Sequence, residues 1–233
     1  MRTLAIGFVF FVSTGSALGY EPIAVTDGGI ISGTVTYTGT AAPPPQLEIT
    51  KDPDYCGKTP IFGEQLVVSA GKGLKWGVVF LEKIASGKAV QPGAATLQNS
   101  KCHYEPHVQA FVVGTELAVG NSDPILHNTH IKLPDSDVAN YALPMQGQVI
   151  KKKVMRKGMM KVGCDAGHVW MSAWIAVFDH PYFAVTDAEG RFSFGDVPPG
   201  SYTLVLWHEK LGKRTQPVTV VAKGTARVDF KVQ

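Results

Sequence analysis

The chain has 233 residues, of which 45% are hydrophobic and 18% are charged, and its formal net charge is +3. An average globular domain has about 25% charged residues, so this composition excludes a coiled coil, which needs charge, and a disordered polar chain, which lacks apolar residues. The 25 glycines and 15 prolines are spread along the chain and suit short strands joined by tight turns, while the small net charge gives no general attraction to nucleic acid.

The first 19 residues have the pattern of a secretory signal peptide. Arg2 precedes an apolar run from Leu4 to Val12, and the segment that follows is rich in small residues. The run is shorter than the ~20 apolar residues that a membrane-spanning helix needs. We therefore expect cleavage after Ala17 or Gly19, and a periplasmic or secreted protein without an integral membrane segment, in a compartment where disulfides persist.

Alternation of apolar and polar residues predicts an all-β fold, either a sandwich or a barrel. The alternation is clearest at Ile31–Thr38 and Val228–Val232. Further strands are predicted at Gln65–Ser69, Trp76–Leu81, Val108–Val113, Glu116–Val119, Trp174–Phe178, Ser201–Trp207 and Pro217–Val221. Turn sequences such as Asp27–Gly29 and Pro198–Gly200 separate them.

The two ends of the chain are more like each other than like the middle. Residues 31–39 and 77–81, with the Asp-Ala-Glu-Gly turn at 187–190 and the Pro-Pro-Gly-Ser-Tyr segment at 198–202, resemble the carboxypeptidase regulatory-like (transthyretin-like) β-sandwich. The resemblance implies a discontinuous domain made of residues 20–94 and 183–233. Residues 95–182 would then be a second domain, inserted in the first or packed on it.

The middle segment carries sulfur and imidazole side chains that can bind a metal. His127 is followed by Asn128, and Cys164, His168 and Met171 follow on one short loop. Two imidazoles and a thiolate with a weak axial methionine are the ligands of a blue-copper electron-transfer site. The soft sulfur ligands favour Cu(I), whereas the imidazoles accept both oxidation states.

This arrangement resembles the cupredoxins of the plastocyanin and amicyanin kind, which supply a His-Asn pair and a later Cys-His-Met loop. The resemblance implies a Greek-key β-sandwich holding one mononuclear copper ion on His127, Cys164, His168 and Met171. It also implies that Asn128 braces the cysteine loop. His130 competes with His127 for the first ligand position, and His103 and His107 are additional to the family pattern.

Three cysteines allow three single-disulfide pairings, each of which leaves one free thiol. If Cys164 must stay a thiolate for copper, the remaining pair is Cys56–Cys102. The Cys102–Cys164 pairing would instead exclude the copper site.

Six positive charges precede Cys164 within eleven residues, with no acidic residue among them: Lys151, Lys152, Lys153, Arg156, Lys157 and Lys161. They form either a solvated loop or a docking patch for a redox partner with an acidic face, an attraction that salt would weaken. A nucleic-acid partner is not expected.

The sequence thus predicts an exported electron carrier with no enzymatic turnover. Two alternatives stay open: a copper storage or handoff protein that uses Met155, Met159 and Met160, and a metal-free scaffold or adhesion module. For His180 and His208 a structural role is favoured.

Overall fold

The structure is a computed structural model that describes residues 19–233, and this part of the chain is almost entirely β. The N-terminal part contains β1 (Glu21–Pro22), β2 (Gly29–Tyr37), the one-turn helix α1 (Pro53–Cys56), β3 (Val78–Leu81) and β4 (Ser86–Gly87). The middle part contains β5 (Ala94–Ser100), β6 (His103–Glu105), β7 (Val108–Val112), β8 (Glu116–Asn121), β9 (His127–Leu133), β10 (Ser136–Leu143), β11 (Val149–Lys153), β12 (Gly158–Gly163) and β13 (Ser172–Phe178). The C-terminal part contains β14 (Phe183–Val185), β15 (Arg191–Val197), β16 (Gly200–His208), β17 (Gly212–Val220), β18 (Thr225–Arg227) and β19 (Phe230–Val232). The predicted all-β class is confirmed.

The middle strands form a two-layer sandwich with its own core. One sheet has the strand order β10-β9-β12-β13-β7 and the other has the order β11-β8-β5-β6. Alternate side chains of both sheets point inward. Leu97, Val119, Ile131, Met160 and Ile175 are among the buried residues between the layers.

The strands from the two ends of the chain form a second sandwich. Its sheets have the orders β14-β3-β16-β17 and β15-β2-β18, and β19 also pairs with β2. Ile31, Leu81, Leu204 and Phe230 are buried between these sheets. Strands distant in sequence therefore share one core, while the domain boundaries at residues 95 and 182 stay predictions.

A third apolar cluster lies between the two sandwiches. It explains why the sequences of β3 and β13 are apolar at consecutive positions. On β3, Val79 points into the second core, while Phe80 packs into the junction. On β13, Ile175 points into the middle core, while Phe178 faces the junction, where its ring lies 4.9 Å from that of Phe80. A strand that is buried on both faces reads as a continuous apolar run rather than an alternating one.

The strand predicted at Gln65–Ser69 is wrong, because the chain turns at Ser69, whose Oγ accepts the backbone N–H of Gly73, and an isolated bridge pairs Val68 with Leu74. The segment around Cys56, assigned by sequence to the terminal domain, packs against the middle core. The predicted signal peptide lies, except for its last residue, outside the described residues, and within those no helix is long and apolar enough to cross a membrane.

Replacement of Leu204 by alanine tests the second core. Leu204 is fully buried, so Leu204→Ala should lower the free energy of unfolding by about 2–5 kcal/mol. Chemical denaturation measures this difference. Val221→Ala is the control, because Val221 is 62% exposed and should change the free energy by less than about 0.5 kcal/mol. Equal effects of the two substitutions would contradict the assigned core.

Candidate metal centre

Three strand ends of the middle sandwich meet at one point. β9 begins at His127, β12 ends at Gly163 and β13 begins at Ser172. The loop between β12 and β13 carries Cys164, His168 and Met171, and β12 lies between β9 and β13 in the same sheet. Adjacent strand ends thus bring side chains from distant parts of the sequence together.

The side chains of His127, Cys164 and His168 converge in the interior. One ligand atom from each lies within 4.8 Å of the others, and Nδ1 of His168 is 3.6 Å from Sγ of Cys164. Both histidines are fully buried, Cys164 is 8% exposed, and Met171 beside them is 2% exposed. The predicted ligand residues are therefore gathered at one end of the sandwich.

Two carboxylates set the direction in which the imidazoles face. Nε2 of His127 lies 2.8 Å from Oδ2 of Asp123, and Nε2 of His168 lies 2.8 Å from Oδ2 of Asp52. An ionised carboxylate only accepts hydrogen bonds, so Nε2 carries the proton in both rings. Each Nδ1 is left with its lone pair directed to the interior, and that of His127 has no partner in residues 19–233.

The buried, unpartnered Nδ1 of His127 indicates whether a metal would fit this site. Such a group costs about 1–3 kcal/mol when it is left unsatisfied, and a metal ion would satisfy it. Imidazole nitrogens backed by carboxylates through the opposite ring nitrogen are the usual arrangement of metal-binding histidines. The donor set therefore fits a soft or borderline transition metal such as copper.

The thiol of Cys164 is held in a form that suits metal binding. Burial alone would raise its pKa, but the neighbouring imidazoles of His127 and His168 and the backbone N–H groups of Asn128 and Ala166 lower the pKa to about 6. The Asn128 N–H is 3.3 Å from the sulfur. The thiolate, the species that binds metals, is therefore favoured near neutral pH.

The electrostatics of His127 and Asp123 are coupled. Burial alone would lower the pKa of His127, but its hydrogen bond with Asp123 and the neighbouring sulfur of Cys164 outweigh burial and raise that pKa. For Asp123, burial raises the pKa, and the bonds from His127, two backbone N–H groups and Tyr55 together lower it well below its usual range. Asp123 is thus a carboxylate at neutral pH.

Asn128, on β9 next to His127, is hydrogen-bonded to the loop that carries Cys164. Its side-chain oxygen accepts the backbone N–H of Asp165 at 3.1 Å, and its side-chain nitrogen donates to Asn140. Gly167, with φ of 96°, turns the loop back so that His168 faces inward, a conformation that favours glycine. Asn128 thus bonds directly to the loop, while its role as a brace stays a prediction.

The other five histidines lie outside this centre. Both ring nitrogens of His130 face carboxylates, Asp165 at 2.6 Å and Asp137 at 2.9 Å, so His127 and not His130 reaches Cys164. His103 contacts Glu105, and His107 contacts Glu209. Nδ1 of His180 accepts the N–H of Tyr182, and Nδ1 of His208 accepts the N–H of Lys210.

The basic cluster is spread along the sandwich rather than grouped at the centre. On β11, Val149 lies opposite Gly120 near the centre, whereas Lys153 lies opposite Glu116 towards the other end. Arg156 and Lys157 come just before β12, and Cys164 comes just after it. The six residues of β12 span about 17 Å, so β12 separates these two basic residues from Cys164. Lys157 forms an ion pair with Asp179. A docking role for these side chains stays a prediction.

The three methionines ahead of Cys164 point to different places. Met155 is 66% exposed, Met160 is buried in the middle core, and Met159 packs at the junction of the sandwiches. The structure therefore does not bring them together as one set of thioether ligands.

The predicted disulfide is present between Cys56 and Cys102, with 2.04 Å between the sulfur atoms, and Cys164 is free. The bond attaches α1 and its flanking residues to the start of β6, beside the centre. The carbonyl of Cys102 accepts the indole N–H of Trp170 at 3.0 Å, and this ring meets the imidazole of His168 edge to face, 5.3 Å between centroids.

Sequence reasoning missed the residues that orient the histidines. Asp123 stands four residues before His127, a spacing that could have identified it. Asp52 lies 116 residues from His168, and Tyr55 donates to Asp123 across 68 residues, so no local pattern identifies either.

The comparison with protein-family models agrees with the carboxypeptidase regulatory-like resemblance seen in the sequence. Residues 165–233 match the family model of the carboxypeptidase regulatory-like domain. A search of curated protein sequences found no match.

Cupredoxins are among the similar solved structures. A purple cupredoxin from Nitrosopumilus maritimus is 20% identical, with 36% of this chain and 99% of that chain covered and a TM-score of 0.31. An amicyanin from Paracoccus versutus is 16% identical, with 36% and 81% covered and a TM-score of 0.33. A copper-containing nitrite reductase from Thermus scotoductus is 20% identical, with 43% and 25% covered and a TM-score of 0.33.

The ionisation of Cys164 can be measured directly in the metal-free protein. Its thiolate absorbance in the ultraviolet should appear with a midpoint at about pH 6 rather than at 9.0, the pKa of an unperturbed thiol. Because the folded pKa is lower than the unfolded one, ionisation of Cys164 contributes stability that is complete above the unfolded pKa and is lost as the pH falls through about 6. Cys164→Ser is the control, since it should remove the titration; a midpoint near 9 in the wild type would contradict the described environment.

Proposed function

We propose that this protein is an exported mononuclear type 1 copper protein that carries electrons between partners. The observation that supports the proposal best is the unpartnered Nδ1 of the fully buried His127, a residue that lies within ligand distance of the free Cys164, with donor atoms no more than 4.8 Å apart. The buried His208 also has an unpartnered ring nitrogen, Nε2, but it is His127 that lies beside a free thiol and a second imidazole.

The residues of the chain would hold copper in defined roles. His127 and His168 would each bind it through Nδ1, Cys164 through its thiolate, and the buried Met171 would add a weaker thioether ligand. Copper bound there would supply one-electron chemistry by alternating between Cu(I) and Cu(II). The carboxylates Asp52 and Asp123 hold the Nε2 protons, so neither imidazole has to change its tautomer when an electron arrives.

Burial and rigid support favour electron transfer over substrate turnover. The four ligand residues are at most 8% exposed, which would keep water and substrates away from a bound metal. The surrounding hydrogen bonds keep the ligands in one arrangement, so that little reorganisation accompanies a change of charge. We therefore propose a carrier without its own turnover, in the periplasm or outside the cell, where the Cys56–Cys102 disulfide would persist.

Absorption spectroscopy of the mature protein with Cu(II) tests this function. The wild type should develop an intense visible band, because a thiolate transfers charge to Cu(II), and Cys164→Ala should lose it. Leu126→Ala is a matched control near His127, since Leu126 is 47% exposed and should leave the band unchanged. Tight Cu(I) binding without colour would indicate storage or handoff instead, and no copper binding would indicate a scaffold.

Replacement of the axial residue tests the role of Met171. Leucine has a similar volume and tolerates the buried position, so Met171→Leu should keep the visible band. The reduction potential should rise, because removal of a weak ligand to copper destabilises Cu(II) more than Cu(I). A spectroelectrochemical titration measures the potential. Complete loss of copper would show that Met171 is more than a weak axial ligand.

A further inference from the structure

A short segment outside the middle sandwich covers the metal centre. Residues 51–57, here called the strap, include α1 and are attached by the disulfide between Cys56 and Cys102. The side chain of Lys51 lies against Gly167 of the ligand loop. The strap therefore closes the end of the sandwich at which His168 would otherwise face solvent.

Asp52 of the strap makes a direct contact with one ligand residue. Its Oδ2 accepts the Nε2 proton of His168 at 2.8 Å, while its Oδ1 lies 3.6 Å from the ammonium group of Lys51. Its backbone is left-handed, with φ of 48°, a conformation that aspartate and asparagine adopt more readily than most residues. The backbone of the strap thus presents this carboxylate to the imidazole.

Tyr55 of the strap reaches the second histidine through another carboxylate. Its hydroxyl donates to Oδ1 of Asp123 at 2.9 Å, and Oδ2 of Asp123 holds Nε2 of His127. The backbone N–H of Cys102 donates to the same Oδ2 at 2.8 Å. The disulfide therefore joins the strap to the point that supports His127, and one tethered segment contacts the supports of both imidazoles.

We propose that the strap is a positioning device for the copper ligands, in which Asp52 fixes the proton of His168 at Nε2 and its charge stabilises Cu(II) relative to Cu(I). Asp52 is a positioning residue, because it acts through His168. The proposal rests on the proposed copper function. It adds that a segment distant in sequence, and not the cupredoxin-like sandwich alone, sets the reduction potential.

Two substitutions that each remove one negative charge from the strap test the role of Asp52. Asp52→Asn keeps the shape, the left-handed preference and an acceptor oxygen, but it removes the charge beside His168. Asp54→Asn is the matched control, since Asp54 is exposed and lies two residues along the same strap. We expect Asp52→Asn to raise the reduction potential well above that of Asp54→Asn, and to accelerate copper loss to a chelator about 10- to 100-fold.

Further measurements separate positioning from folding. Denaturation of both metal-free variants shows whether the fold is retained, and Asp52→Glu should restore part of the potential because it restores the charge. Tyr55→Phe should change the potential less than Asp52→Asn, since it removes one of several bonds to Asp123. In the metal-free wild type, the Nε2 proton of His168 should exchange slowly with solvent by NMR, and Asp52→Ala should accelerate that exchange.

The outcomes distinguish this proposal from the copper function. A wild-type protein without the visible band overturns the copper function itself. A blue wild type in which Asp52→Asn and Asp54→Asn have equal potentials and equal rates of copper loss overturns the positioning role alone. A fast-exchanging His168 proton in the wild type would also overturn it.

Discussion

The burial of three ionisable side chains at one point is the constraint on which the rest of the site depends. Cys164, His127 and His168 lie together in the interior, where an unsatisfied polar atom is costly. Each Nε2 therefore meets a carboxylate, and the sulfur accepts a backbone N–H. These contacts leave donor atoms that face one another and that a cation can satisfy. The supports of the site follow from the need to bury it.

The second sandwich extends the core that holds this site in place. β13 leaves the ligand loop and runs between the middle core and the junction, with Ile175 on one side and Phe178 on the other. A strand packed on both faces has little freedom to shift, because a one-residue slip would reverse every side chain. The position of the loop before β13 is therefore fixed by apolar packing on both sides of the sheet.

Sequence reasoning succeeded where the information is local. The spacing of Cys164, His168 and Met171 can be read within eight residues, and the alternation at Ile31–Thr38 identified β2. It could not choose between His127 and His130, which lie three residues apart on β9. Side chains at that spacing on a strand point to opposite faces, and which face is inward depends on the partner strands.

The same limit explains what the sequence did not predict. The contact of Asp52 with His168 depends on a disulfide, on a left-handed backbone residue and on packing of the segment around Cys56 against the middle core. None of these has a local pattern.

The basic cluster is the opposite case. Its members are close to one another in sequence, but β11 and β12 carry them along the sandwich. Proximity to Cys164 in the chain therefore did not mean that the whole cluster is close to Cys164 in space.

The odd number of cysteines follows from the same arrangement. A free thiol with a lowered pKa is reactive towards disulfides, and an oxidising compartment would offer it partners. Cys164 is protected because it is 8% exposed, while Cys56 and Cys102 are 3% and 0% exposed and already joined to each other. The disulfide also attaches the strap that covers His168. One covalent bond thus removes both competing thiols, and burial separates the remaining thiol from others.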